Sequence, residues 1–295
     1  MRYAERIGTY EPQSPEWYAA RRGGLGGSEI AAVLGLSPWT SKFALWHRKA
    51  GNIGEERDNA GMSWGRRLEN VIAEKWSEDH PQSTMRRTGT WRSRMRPWQI
   101  ANPDRLINSA HTGSSILEVK TAHGMDGWEW GETGSDTIPV YYRCQGLHYL
   151  DVFGMEFCHF AVLIGGSDYR EFTIRYDPDE ASMMRQAGEE FLATLAAGHQ
   201  PDIDDSTSTY QAVRELHPDI DGTDQEIPEE IAVQYLAACK AEVSVKQWKQ
   251  KSVSEVVAAM GSAKYALLDG ERFAMRMAKR DGLPYLRPLT RKEAA

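Results

Sequence analysis

Cysteine is scarce in this chain of 295 residues: Cys144, Cys158 and Cys239 stand far apart and form no Cys-x-x-Cys pair. That spacing supports neither a disulfide framework nor a zinc or iron–sulfur cage, so the three read as reduced thiols. Long apolar runs are also missing. No stretch approaches the roughly 18 uninterrupted apolar residues of a membrane helix, and the start, Met1 to Trp17, lacks the apolar centre of a signal peptide. A soluble, cytoplasmic protein with no membrane partner is therefore expected. Net positive charge is absent too: the formal charge of −7 excludes a protein that coats nucleic acid through bulk basicity. No internal repeat is visible, which removes solenoids and tandem arrays.

What is present is a composition able to fold. With 41% hydrophobic and 26% charged residues, the chain has enough apolar material for a sizeable core, and its length fits one large domain or a domain with an appendage. Charge is unevenly distributed. Between Pro81 and Gln99 there is no Asp or Glu, but Arg86, Arg87, Arg92, Arg94 and Arg96 all occur. From Asp202 to Glu230 the balance inverts, with Arg214 the one basic residue among many acidic ones. The expected organisation is a main domain over 1–200, an acidic connector over 201–227, and a helical plus hairpin extension over 228–295.

Ser14-Pro15-Glu16 has the form of a helix start, with serine as cap and proline in the first turn. A glycine-rich stretch, Gly23 to Gly27, then leads into a helical pattern opening at Ser28, and a further one runs from Ser41 to Ala50. Ser63 to His80 places Leu68, Val71, Ile72 and Trp76 on one helix face. A strand from Trp98 to Asn102 approaches Pro103-Asp104, and after a turn at Gly113 the segment Ser115 to Thr121 alternates like its hairpin partner. Ala122 to Pro139 reads as a long loop. Tyr141 to Phe153 reads as a helix, Cys158 to Ile164 and Glu171 to Tyr176 as a strand pair, and Asp179 to Ala197 as an amphipathic helix. Helix over Pro228 to Met260 and a hairpin turning at Asp269-Gly270 complete the chain.

The chemistry centres on Pro103-Asp104 and, one strand later, Glu118-Val119-Lys120. Period-two alternation puts Glu118 and Lys120 on one strand face and Val119 on the other. A hairpin can bring Asp104 beside them. Two converging carboxylates repel unless a cation or proton is shared, and oxygen donors suit a hard divalent ion such as Mg²⁺. A nearby ammonium could stabilise charge on a phosphate or help activate a water. Glu-x-Lys alone is common on surface strands, so the surrounding sequence decides.

That sequence resembles the YqaJ-like viral recombinases, relatives of lambda exonuclease among the PD-(D/E)-x-K nucleases. The resemblance spans residues 14 to 200. It rests on Arg21-Arg22 with Gly26 to Trp39, Trp64 to Asn70, Asn102 to Leu106, Leu117 to Thr121, and Ile138-Pro139 with Tyr142 to Leu150, all in the family's order. It implies an α/β PD-(D/E)-x-K, restriction-endonuclease-like core, a mixed central sheet flanked by helices, here with a helical C-terminal extension. By the same resemblance, Asp104, Glu118 and the backbone carbonyl of Val119 hold Mg²⁺, for which Mn²⁺ substitutes. Glu69 reaches a second metal position, Lys120 is the catalytic lysine, and Gln145 positions the attacking water. Arg21 and Ser28 would grip a DNA 5′-terminal phosphate, with Arg22 a rival for the arginine and N-capping the alternative role of Ser28. The family usually has glycine after the metal aspartate, where this chain has Arg105.

The implied activity is a 5′→3′ exonuclease on double-stranded DNA ends, leaving 3′ single strands for phage-type recombination. The implied partners are a single-strand annealing protein and further copies of the chain in a ring, such as a trimer. Competing readings are a structure-specific or RecB-like endonuclease, and a DNA-end scaffold with a decayed site. Arg86, Arg87 and Arg92 are candidate phosphate contacts or members of a solvated basic hairpin. Trp128 and Trp130 are candidate stacking platforms or loop anchors. His148 reads as a core residue.

Overall fold

The structure, a computed structural model, describes residues 2–56, 58–110, 113–123, 129–280 and 282–289. It divides into two units, Met1–Asp219 and Ile220–Ala295.

The first unit is built on a five-stranded mixed sheet of order β3-β6-β7-β8-β9, comprising β3 (Ser83–Arg87), β6 (Arg105–Ser109), β7 (Gly113–Ala122), β8 (Phe157–Ile164) and β9 (Asp168–Arg175). All its pairs are antiparallel except β7 with β8, whose parallel connection runs through helix α5 (Val140–Phe153). Alternation along β7 sorts the two faces. Leu117 and Val119 pack with Ile107, Ala161 and the apolar stripe Ile72, Ala73 and Trp76 of α4 (Ala60–Asp79). Ile116 points the other way, into the main core with Phe160, Val162 and Leu147. Glu118 and Lys120 therefore fall on the face covered by α5.

A second sheet of order β1-β4-β5-β2 holds β1 (Ala4–Gly8), β4 (Thr90–Ser93), β5 (Gln99–Ala101) and the short β2 (Leu25–Gly26). Two expectations change here. The strand leading to Asp104 is β5, which belongs to this sheet, whereas the hairpin partner of β7 is β6. The chain crosses between sheets at Asn102–Asp104, where Pro103 has no N–H to continue a ladder. The basic interval is not one hairpin either, because Arg86 and Arg87 lie on β3 and Arg92 on β4, in different sheets.

Helix starts follow their caps. Ser14 accepts from Trp17 N ahead of α1 (Pro15–Arg22), and Ser41 accepts from Ala44 N at α3 (Lys42–Lys49). Asn59 caps α4, one turn earlier than the apolar periodicity suggests, and Asp177 caps α6 (Pro178–Ala197). The cap of α2 (Gly27–Val33) is Gly26, so Ser28 lies inside the first turn and is not the N-cap. The segment expected to be a solvated connector contains α7 (Thr207–Leu216), which docks on α3. Ala212 packs with Phe43 and Ala44, and Thr209 Oγ1 donates to Ser41 Oγ at 2.7 Å.

The second unit comprises α8 (Glu229–Met260) and an antiparallel meander of β10 (Tyr265–Leu268), β11 (Glu271–Met277) and β12 (Tyr285–Pro288). Its first turn is at Asp269-Gly270, both at positive φ, as expected for a two-residue hairpin loop.

Candidate functional site

Asp104 and Glu118 are locked together by backbone donors. Asp104 N donates to Glu118 Oε1 at 3.1 Å, and Val119 N donates to Asp104 Oδ2 at 2.7 Å. Lys120 Nζ donates to Glu118 Oε2 at 2.9 Å, and Gln145 Nε2, reaching down from α5, donates to the same oxygen at 2.9 Å. Gln145 also contacts the Tyr149 hydroxyl at 3.2 Å, one helical turn along. Glu118 is buried and Asp104 half-buried.

The electrostatics follow from this enclosure. Burial, and then the neighbouring Glu118, push the Asp104 carboxyl well above its ordinary pKa. Burial raises Glu118 too, with Lys120 opposing. Burial works against the Lys120 ammonium, but Glu118 and Asp104 outweigh it and keep the lysine charged. Two carboxyl groups against one ammonium need a shared proton or a divalent cation to balance them. Among the described residues, no three Asp, Glu, His or Cys side chains form a ready metal cage. The donor chemistry that fits a hard ion is therefore the Asp104–Glu118 pair supplemented by backbone oxygen.

Glu69, the expected second metal position, is engaged elsewhere. Arg105, 3% exposed, donates to Glu69 Oε1 at 2.6 Å, Asn70 Oδ1 at 2.7 Å and the Asp104 carbonyl at 2.7 Å. Sequence reasoning noted Arg105 only as an unusual residue after the aspartate. Its signal was a lone charge opening the apolar strand Arg105-Leu106-Ile107.

The structure brings Arg21 and Ser28 together and leaves Arg22 out. Arg21 Nη2 lies 3.3 Å from Ser28 Oγ and Nη1 lies 3.2 Å from Asn102 Oδ1, with the guanidinium 4.2 Å from the Trp17 ring centre. A Cβ on Gly26 would meet the Arg21 guanidinium, so a larger residue there would have to displace it from this position. Arg22 is exposed and faces Glu55 at 4.0 Å. Beneath the turn sits a pair the sequence did not single out for this role. Buried Lys49 donates to the carbonyls of Arg21 at 3.1 Å and Gly24 at 2.7 Å and pairs with Glu29 at 2.9 Å, while Gly26 N donates to Glu29 at 2.7 Å. Glu29 also faces Arg21 at 3.6 Å, so one carboxylate holds the turn, its lysine and its arginine.

A cavity of about 990 Å³ joins these groups, lined by Arg21, Ser28, Glu69, Asp104, Glu118, Lys120 and Gln145. Arg86, Arg87 and Arg92 do not line it. Arg92 pairs with Glu5, and Arg87 donates to Asn70. Trp130 is 4% exposed and packs on Tyr142 and Phe172, so it anchors its loop; Trp128 lies outside the described residues. His148 is buried with Nε2 at 3.1 Å from the Ile100 carbonyl, a core position.

A mixed sheet flanked by helices, with Asp104 just ahead of one strand and Glu118-Val119-Lys120 in the next, makes this an α/β fold. Residues 16–156 match the YqaJ-like viral recombinase domain. The YqaJ protein of Bacillus subtilis is 31% identical over 211 residues, 70% of this chain and 64% of that one. A protein of African swine fever virus is 38% identical over 61 residues, 21% of this chain and 18% of its own. The chain thus spans less than two thirds of either relative. The alkaline exonuclease LHK-Exo from Laribacter hongkongensis shares the fold, with a TM-score of 0.51 at 18% identity over 63% of this chain and 94% of that one.

Proposed function

We propose that the protein is a metal-dependent deoxyribonuclease, a 5′→3′ exonuclease that degrades one strand of double-stranded DNA from its ends and leaves 3′ single strands for recombination. The observation that carries this reading is the convergence of Asp104, Glu118, Lys120 and Gln145 in a cavity that Arg21 and Ser28 also line. The match of residues 16–156 to the YqaJ-like viral recombinase domain and a fold shared with an alkaline exonuclease support it.

Mg²⁺, or Mn²⁺ in its place, would be held by Asp104, Glu118 and the Val119 carbonyl, and when bound supplies Lewis-acid polarisation of the scissile phosphate. A second ion at Glu69 has to compete with the Arg105 guanidinium. The Lys120 ammonium stabilises charge building on the phosphate, and Gln145 orients the attacking water. Arg21 and Ser28 receive the terminal 5′-phosphate, which makes the enzyme choose ends. Self-assembly into a ring such as a trimer, and pairing with a single-strand annealing protein, complete the proposal; Ile231, Tyr235, Leu236 and Trp248, all exposed on α8, offer an apolar surface for such contacts.

Digestion of linear duplexes labelled at either terminus, with and without a 5′-phosphate, in Mg²⁺, Ca²⁺ or chelator, tests this. Label at the 5′ end should be released first, only with Mg²⁺ or Mn²⁺, and faster from phosphorylated ends. Cleavage of covalently closed circles would point instead to an endonuclease, and no cleavage of any substrate would reject the nuclease reading.

A further inference from the structure

The cavity that holds Lys120 has the volume of a small-ligand pocket, about 990 Å³. Within it the Lys120 and Glu118 side chains are recessed, 14% and 1% exposed, a depth suited to a single strand end. A strand that reaches Lys120 as a single strand has left its complement, which costs the unstacking and unpairing of at least one base. Something in the protein should offset that cost.

Of the two expected platforms, Trp130 is part of the core and Trp128 lies outside the described residues. Trp39 is placed differently. It is 57% exposed, although tryptophan usually buries most of its large apolar surface. It follows Ser37-Pro38, and the Ser37 hydroxyl accepts from both Trp39 N at 3.3 Å and Thr40 N at 3.2 Å, a local turn that fixes the indole's backbone. Its ring meets Tyr141 edge-on, with centres 4.7 Å apart, and lies 5.9 Å from the Tyr142 ring. The Lys120 ammonium in turn sits 5.0 Å from the centre of Tyr142. Trp39, Tyr141, Tyr142 and Lys120 thus form an unbroken series along one cavity wall, running from an exposed indole to the reacting centre.

We propose that Trp39, braced by Tyr141, is a stacking site for an unpaired base of the strand being processed, adjacent to the scissile phosphate. The inference rests on the nuclease reading above and deepens it by naming what the strand contributes to binding besides phosphate. The ligand is a nucleobase of any identity, because every base presents a π face. Discrimination is against a missing base, not among the four.

The test uses the full chain in chelator, where no cleavage occurs, and measures binding by anisotropy to two duplexes with a frayed 5′ end. One carries a normal terminal nucleotide and the other an abasic analogue there. The wild-type chain should bind the base-bearing end on the order of tenfold more tightly, the size of one base–aromatic stack. Trp39→Ala should lose that preference while binding the abasic end as the wild type does, and Trp39→Phe should keep most of it. A terminal 2-aminopurine should be quenched on binding to the wild type, a readout that needs no variant to fold. Equal affinity of the wild type for the two ends, or a base preference that survives Trp39→Ala, overturns the proposal. A parallel Mg²⁺ digestion by the wild type separates the two claims: cleavage with base-independent binding rejects the platform alone, and base-dependent binding without cleavage rejects the nuclease reading alone.

Discussion

Replacing Arg105 by leucine removes the guanidinium that ties α4 to the strand that follows Asp104. The side chain is 4% exposed and satisfies Glu69, Asn70 and the Asp104 carbonyl through three hydrogen bonds. Breaking a buried ion pair by deleting one partner costs about 3–5 kcal/mol, chiefly because the remaining charge is stranded. Glu69 is 31% exposed, so water recovers part of its solvation and the lower end, about 3 kcal/mol, applies. For a unit of this size each kcal/mol moves Tm by roughly 2–4 °C, so a fall of about 6–12 °C is expected. Scanning calorimetry of the full chain in chelator measures it, following the transition of the Met1–Asp219 unit. The double variant Arg105→Leu, Glu69→Leu should recover part of the loss, since no carboxylate is then left without its cation. A fall of under about 2 °C for Arg105→Leu, or no recovery in the double variant, would refute the account of Arg105 as a buried tie.

Three further outcomes follow from the site. Lys120→Ala should lower cleavage by a factor on the order of 10² or more while leaving DNA-end affinity within a few fold, as measured by single-turnover digestion and anisotropy; a near-wild-type rate would remove Lys120 from the chemistry. Arg21→Ala should abolish any preference for 5′-phosphorylated ends in the same digestion, whereas Arg22→Ala, altering an exposed side chain, should leave the preference unchanged. Burial pushes the His148 imidazole down to about 4, below the ordinary 6.5, so the unfolded chain binds a proton between those values that the folded chain does not. Its contribution is full above pH 6.5 and is lost as pH falls toward 4; urea titrations across that window should show a shallower slope for His148→Gln, with the share of similarly depressed His159 remaining.

Much of the site was legible because its signals are local. The alternation of Ser115 to Thr121 placed Glu118 and Lys120 on a common face, and the β7 strand does so. Ser14-Pro15 and Asp269-Gly270 marked a helix start and a hairpin turn through the conformations those residues favour. The split of the basic interval was not legible, since β3 and β4 are both short strands and nothing local states which sheet each joins. Nor was α7, whose polar Ser208 and Thr209 look solvated until Ser41 meets them across 168 positions of sequence at most.

By itself the sequence determined the inventory: an aspartate after proline, a Glu-x-Lys on one strand face, an arginine seven residues before a serine, and glycines where the chain must turn. Backbone propensity and side-chain periodicity act over a few residues, so these features are readable in one dimension. Tertiary structure alone decided the partnerships. It set Arg21 rather than Arg22 against Ser28, gave Glu69 to Arg105, buried Trp130 and left Trp39 facing the cavity. Those outcomes depend on which distant surfaces exclude water from one another, and burial is a property of the packed chain that no short window of sequence contains.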